Sequence, residues 1–148
     1  MELVHTKKQL HPESIGKKCF KNITIYILTF GLSKDSNHST FSSWLQKELW
    51  NRQVKCSIGN IRESTHLMWA MHFDAFFILQ GDNDFDPILL TKLAKFSKHI
   101  PMVRINTTEK AKKQIYNGVK MHSEYNIDLS IRDRANEQAI NMLDILIA

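Results

Sequence analysis

The chain has 148 residues, 43% of them apolar and 24% charged, with a formal net charge of +5 and a pI near 9.3. This length suits one domain around one core, and the composition is that of an ordinary soluble globular protein. Five glycines and three prolines leave little room for long disordered linkers, and no apolar stretch is long enough to span a bilayer.

Residues 1–22 read as a basic extension. Lys7, Lys8, Lys17, Lys18 and Lys21 stand against Glu2 and Glu13, and Pro12 and Gly16 interrupt any long helix. The segment has no apolar h-region, so it is not a secretory signal, and a cytoplasmic location is expected. Cys19 and Cys56 are the only cysteines and are expected to be reduced thiols. The N-x-S/T triplets at Asn22, Asn37 and Asn106 then have no glycosylation role. The extension's positives are few, which favours a strapping lead-in over a basic arm for nucleic acid.

Residues 23–148 alternate apolar runs with helical patterns. A first strand is expected over Ile23–Phe30, rich in β-branched and aromatic residues. Turn composition follows, and Ser39 or Thr40 can cap a helix that buries Phe41, Trp44, Leu45 and Leu49. The second strand, Val54–Ile58, alternates, and a short helix over Glu63–Met71 buries Leu67, Met68 and Met71. The third strand, Phe73–Leu79, is almost continuously apolar. Asp86 before Pro87 starts a helix with Leu89, Leu93 and Phe96 on one face. The fourth strand is Ile100–Ile105. Thr107 or Thr108 caps a fourth helix with Ala111, Ile115 and Val119 inward. The fifth strand, Ile127–Ile131, alternates, and Asp133 starts a last helix that buries Asn136, Ala139, Ile140, Leu143 and Ile147. Trp50 and Trp69 fall off the clearest inward stripes and are expected to be core or partly buried.

Strands covered by helices on both faces read as continuous apolar runs, while edge strands alternate. The first and third strands are continuous and the second and fifth alternate, which gives the order 2-1-3-4-5. The expected fold is an α/β three-layer sandwich with a five-stranded parallel sheet, flavodoxin-like. Right-handed crossovers place the first and last helices on one face and the others opposite.

Two local patterns carry a family resemblance. Phe73-Asp74-Ala75-Phe76-Phe77-Ile78-Leu79 and Ile100-Pro101-Met102-Val103 resemble the third and fourth strands of the receiver domain of bacterial response regulators. Over about residues 22–148 the element order and loop lengths are similar as well. The resemblance implies a CheY-like fold and a phosphoryl-transfer constellation. That constellation needs an acidic pair for Mg²⁺ after strand one, an acceptor aspartate ending strand three, a Thr or Ser ending strand four and a Lys ending strand five. A hard cation wants carboxylates, and charge developing on phosphoryl oxygens wants a cation.

Most of that set is replaced here. The acidic pair falls on Thr29 and Phe30, the acceptor on Leu79 or, with a one-residue slip, on Gln80, and the hydroxyl position on Asn106 with Thr107 adjacent. No lysine ends the fifth strand, and Arg132 is the nearest cation. The chain is therefore expected to be a pseudo-receiver that takes no phosphate by the usual route. Asp82 or Asp84 could serve as rescue acceptors with Asp35 at a metal, but these acids sit in loops that do not fix the in-line geometry.

Other chemistry is weakly supported. The histidines at 5, 11, 38, 66, 72, 99 and 122 show no metal-ligand spacing, and no nucleophile elbow, Walker loop or G-x-G-x-x-G is present. No metal and no cofactor is expected. The segment EKAKKQIYNGVK, with Lys110, Lys112, Lys113 and Lys120 beside Tyr116, is the candidate interaction surface. In the receiver family the face built from the fourth helix, fifth strand and last helix binds output domains and makes dimers.

The leading expectation is thus a non-enzymatic signalling protein that associates with a protein partner or with itself through that face. It would have no DNA-binding output domain, because the last helix ends with the chain. The runner-up is a TIR-like or other nucleotide- or small-ligand-binding enzyme working at the strand ends. Against it, the helix DPILLTKLAKFSKH lacks the glutamate that NAD-cleaving TIR domains need. Nucleic-acid binding through the basic arm and fourth helix is the weakest reading, and it implies affinity that falls steeply with salt.

Overall fold

Five short runs pair into one parallel sheet in the computed structural model, which describes residues 23–30, 36–60, 72–82 and 87–147. The strands are β1 (Thr24–Phe30), β2 (Lys55–Asn60), β3 (Ala75–Gln80), β4 (Met102–Asn106) and β5 (Ser123–Asn126). Their order is β2-β1-β3-β4-β5, as the strand texture implies. The described helices are α1 (Ser36–Asn51), α2 (Pro87–Phe96), α3 (Glu109–Lys112) and α4 (Arg132–Leu146).

Side chains alternate across a strand, so each strand feeds two cores. Ile25, Ile27, Phe77, Leu79, Val103 and Ile105 face α1 and α4, where Leu45, Leu49, Ala139 and Leu143 cover them. Leu28, Phe76, Ile78 and Met102 face the other way, against Leu89 and Leu93 of α2. Each fully buried Leu, Ile or Phe contributes about 1.5–3 kcal/mol relative to exposure. All six residues of β3 are buried, as its central place requires. At the edge, Val54 and Cys56 of the β2 region are buried while Lys55 and Ser57 are exposed.

Polar contacts fix the ends of these elements. The Asp74 carboxylate accepts from both the backbone N–H and the hydroxyl of Thr24, each at 3.0 Å, and so ties the start of β1 to the residue before β3. The Cys56 carbonyl accepts from Gln46 Nε2 at 3.0 Å and from Trp50 Nε1 at 3.5 Å, which holds the edge strand to α1. Burial pushes the free Cys56 thiol up to about 11, so it stays protonated and unreactive near neutrality. Arg52 donates to Glu48 at 2.9 Å and to Asp144 at 3.1 Å, bridging the ends of α1 and α4.

Gly59 lies opposite Leu28 on β1, and a Cβ built there would stand 1.9 Å from the Tyr26 hydroxyl oxygen. That ring cannot swing freely, since it stacks on Phe73 at 4.8 Å and meets Phe76 edge-on at 6.3 Å. Gly59→Ala is expected to destabilise the fold by about 1–3 kcal/mol, read as a lower urea midpoint at unchanged slope.

Several expectations need correction. α1 starts at Ser36, so Ser39 and Thr40 lie inside it. Small polar residues suit a first turn as well as a cap, and composition does not separate the two roles. The fifth strand is Ser123–Asn126 rather than Ile127–Ile131. It is a short edge strand of polar residues, and the alternation after it belongs to a connection that drops Ile127 and Leu129 into the α1–α4 core. Ile131 is the N-cap residue of α4 and is half exposed. The buried stripe of α4 is Ala135, Ala139, Met142, Leu143 and Leu146. Asn136 and Ile140 are only half-buried, and Ile147 is buried beyond the helix end.

The fourth predicted helix shrinks to the four residues of α3. Arg104 takes the Ala111 carbonyl, which a longer helix would use, and Gly118 adopts φ +78°. Ile115, expected inside, is 74% exposed. Trp50 is 62% exposed instead of partly buried, its indole N–H resting on the β2 edge. Residues 1–22, the expected helix over 63–71, Trp69, Asp35, Asp84 and Asp86 lie outside the described residues.

Candidate functional site

The carboxyl ends of parallel strands are where this architecture places its sites. Four strands here end in a carboxamide: Asn60, Gln80, Asn106 and Asn126. The register aligns them across the sheet, with Thr29 opposite Asn60, Phe30 opposite Gln80, Gln80 opposite Asn106 and Asn106 opposite Asn126. Of the positions that the receiver resemblance assigns, Leu79 points into the α1–α4 core. Gln80 is the residue at the end of β3, fully buried. Thr29 is buried, its hydroxyl donating to the Gly59 carbonyl at 3.3 Å. The backbone of Phe30 closes β1 opposite Gln80.

On the α2 face the apolar packing gives way here to a polar network built on Arg104. This side chain is 4% exposed, in the middle of β4. Its Nε donates to Asn106 Oδ1 at 2.6 Å, and Nη2 donates to the carbonyls of Ala111 at 2.6 Å and Gln114 at 2.7 Å. The guanidinium lies over the Tyr116 ring, 3.9 Å from its centroid. Asn106 then donates through Nδ2 to Glu124 Oε2 at 2.7 Å and Asn126 Oδ1 at 3.0 Å. A buried cation without partners would be prohibitive, and three oxygens, an aromatic face and a carboxylate one residue removed offset its desolvation.

Tyr116 closes the network onto β3. Its hydroxyl donates to Gln80 Oε1, while Gln80 Nε2 donates to the Gly81 carbonyl at 2.8 Å. Burial holds the Tyr116 phenol far above its ordinary range, against the opposing pull of Arg104, so it remains a donor. Thr107 is buried and donates to the Gln80 carbonyl at 2.9 Å. Thr108 is the N-cap of α3, accepting from the Ala111 N–H at 3.1 Å. Asp82, one of the two rescue acceptors, is exposed and accepts from the Thr108 hydroxyl at 2.5 Å. Its main-chain carbonyl accepts from Gln114 Nε2 at 2.8 Å.

The expected interaction residues divide. Lys110, Lys112, Lys113 and Lys120 are exposed, with Lys112 paired to Glu109 at 3.0 Å. Tyr116 is not a surface residue: it is 8% exposed and faces the sheet, because its ring and hydroxyl complete the Arg104 and Gln80 contacts. Arg104, Gln114, Glu124 and Asn126 were not singled out by the sequence reading. The signal for Arg104 was present, since a charged residue inside a strand read as buried must find partners.

His122 borders this region, its Nδ1 3.2 Å from Ser123 Oγ. Burial pulls its pKa from 6.5 down to about 4, so folding favours the neutral ring. The stability it contributes is present above 6.5 and is lost as pH falls from there through about 4. With solvent screening discounted, the loss is on the order of 1–2 kcal/mol. Urea unfolding across that window is expected to show it, and His122→Gln to flatten the profile.

Chemically, the carboxamides of Gln80, Asn106 and Asn126 are already engaged, Asn106 with Asn126 and Gln80 with Tyr116 and the Gly81 carbonyl. No group of three or more His, Cys, Asp or Glu side chains is gathered to hold a metal ion among the described residues, and no helix among them is long and apolar enough to cross a membrane.

No family model matches this chain, and no curated protein does. Solved structures match by fold. A flavodoxin mutant from Pseudomonas aeruginosa superposes with TM-score 0.58 at 16% identity, covering 84% of this chain and 99% of that one. A type II dehydroquinase from Butyrivibrio crossotus gives 0.56 at 10% identity, covering 83% and 98%. An orphan response regulator of H. pylori gives 0.50 at 9% identity, covering 85% and 98%. The class the fold defines is therefore the flavodoxin-like α/β sandwich, a fold that by itself fixes no function.

Proposed function

We propose that this chain is a pseudo-receiver: a non-enzymatic, cytoplasmic signalling domain that works by protein association and is not switched by phosphate. One observation carries the reading. Where a receiver places its acceptor aspartate, β3 ends in Gln80, fully buried and bonded to Tyr116 and the Gly81 carbonyl. A carboxamide is no phosphoryl acceptor, and this one is already engaged. Its bond to Tyr116 joins the strand end to the segment after α3 without any ligand, so the α3–β5–α4 face is held in one arrangement for a protein partner or a second copy.

The test is incubation with acetyl phosphate and Mg²⁺ followed by intact mass measurement. The expected result is no phosphoryl adduct. An adduct at Asp82 or Asp84 would overturn the reading.

A further inference from the structure

Residues 87–121 hold seven lysines, the buried Arg104 and one acid, Glu109. Residues 122–148 hold five acids and two arginines. Within residues 87–148 the positive charge is thus gathered on the α2–α3 side of the sheet. The two lysine groups are adjacent in space: Lys120 N–H donates to Ser97 Oγ at 3.0 Å, and Gly118 abuts Ala94. Lys92, Lys95 and Lys98 on and just after α2 therefore lie beside Lys120, and Lys113 stands two residues before Ile115 along the chain, all these lysines being exposed.

Two large apolar side chains are exposed in this part of the chain, Ile88 at 58% on α2 and Ile115 two residues after Lys113. Ile115 is 74% exposed, and its neighbours hold it there. The Gln114 carbonyl accepts from Arg104 and the Tyr116 ring is packed inward, so the backbone between them cannot turn Ile115 into the core. A buried arginine thus fixes the irregular segment that presents a bare isoleucine, and a rigid anchor of this kind loses little freedom on binding.

We infer that this strip is a docking surface for an acidic protein segment carrying an aliphatic side chain that seats against Ile115. The inference rests on the association reading above and names the partner's chemistry. Lysines supply charge complementarity and steering, while the apolar contact supplies specificity. Nucleic acid fits less well. Tyr116 faces the sheet and Phe96 is half-buried against the α2-side core, so neither ring is open to stack on a base, and a hydrated phosphate backbone offers Ile115 no apolar counterpart.

The test is fluorescence anisotropy of the full chain with a labelled Glu/Asp-rich peptide containing one central leucine. The same peptide with serine at that place and a duplex DNA are the comparison probes. The leucine peptide is expected to bind and to weaken with salt. Ile115→Ser is expected to weaken it about five- to tenfold while leaving the serine peptide unchanged, and Lys113→Glu to weaken both about tenfold. Absence of leucine-peptide binding, or tighter duplex binding that ignores Ile115→Ser, would overturn the inference and leave the association reading standing. Phosphoryl uptake from acetyl phosphate would instead strike that reading.

Discussion

Arg104→Met is expected to be among the most damaging single substitutions, at about 3–5 kcal/mol. Methionine fills comparable space but donates nothing, so the Gln114 carbonyl and Asn106 Oδ1 lose the Arg104 donor, and the Ala111 carbonyl is left with the Gln114 N–H at 3.2 Å. Each buried polar group left unsatisfied costs about 1–3 kcal/mol, and solvent reaching the carbonyls recovers part of that. The check is urea unfolding combined with hydrogen exchange. The midpoint should fall, and residues 111–120 should lose protection in the remaining native state. Arg104→Lys should rescue little, because an ammonium cannot reach the same oxygens in the planar fork geometry.

Tyr116→Ala comes next, at about 3–5 kcal/mol. The substitution removes a buried ring from under the guanidinium and the donor to Gln80 Oε1. Tyr116→Phe keeps the ring and loses only the hydrogen bond, and is expected to cost about 1–3 kcal/mol. The difference between the two separates packing from the link to β3. Because Arg104 and Tyr116 are in contact, the double variant should be less damaged than the sum of the singles. Additivity in that cycle would mean that the network is not one unit.

The sheet was legible because its signal is apolar. The run Phe73–Leu79 has no amphipathic alternative, and its continuity gives its central place as surely as the alternation of Val54 and Cys56 gives an edge. What stayed hidden is polar. Ser123–Asn126 forms a strand through backbone pairing with β4 while presenting Glu124 and Asn126 to a half-solvated face, so no alternation marked it. The basic segment has helical spacing at Ala111, Ile115 and Val119, yet the pull of Arg104 on two carbonyls and the left-handed Gly118 stop the helix after one turn. That is tertiary context overriding local pattern, and it turned Ile115 outward and Tyr116 inward. The site that the receiver resemblance assigns was readable as lacking acids at Thr29 and Gln80 and a hydroxyl at Asn106. The network that occupies it was not, because Glu124 and Gln114 reach it only through the fold.

The proposed loss of a phosphoryl switch also bears on how the proposed association face would behave. In a two-state switch, a ligand shifts populations only through differential affinity for the states. Here the contacts that span β3, β4 and the segment after α3 are all made within the chain. The α3–β5–α4 surface is accordingly expected to bind its partner with an affinity that Mg²⁺ and phosphate mimics leave unchanged.

The most direct measurement is an amide NMR titration of the full chain with beryllofluoride and Mg²⁺, read at Gly81, Asn106, Tyr116 and Asn126. Unmoved resonances are expected. Saturable shifts at these amides would mean that the strand ends hold a metal and a phosphoryl mimic after all.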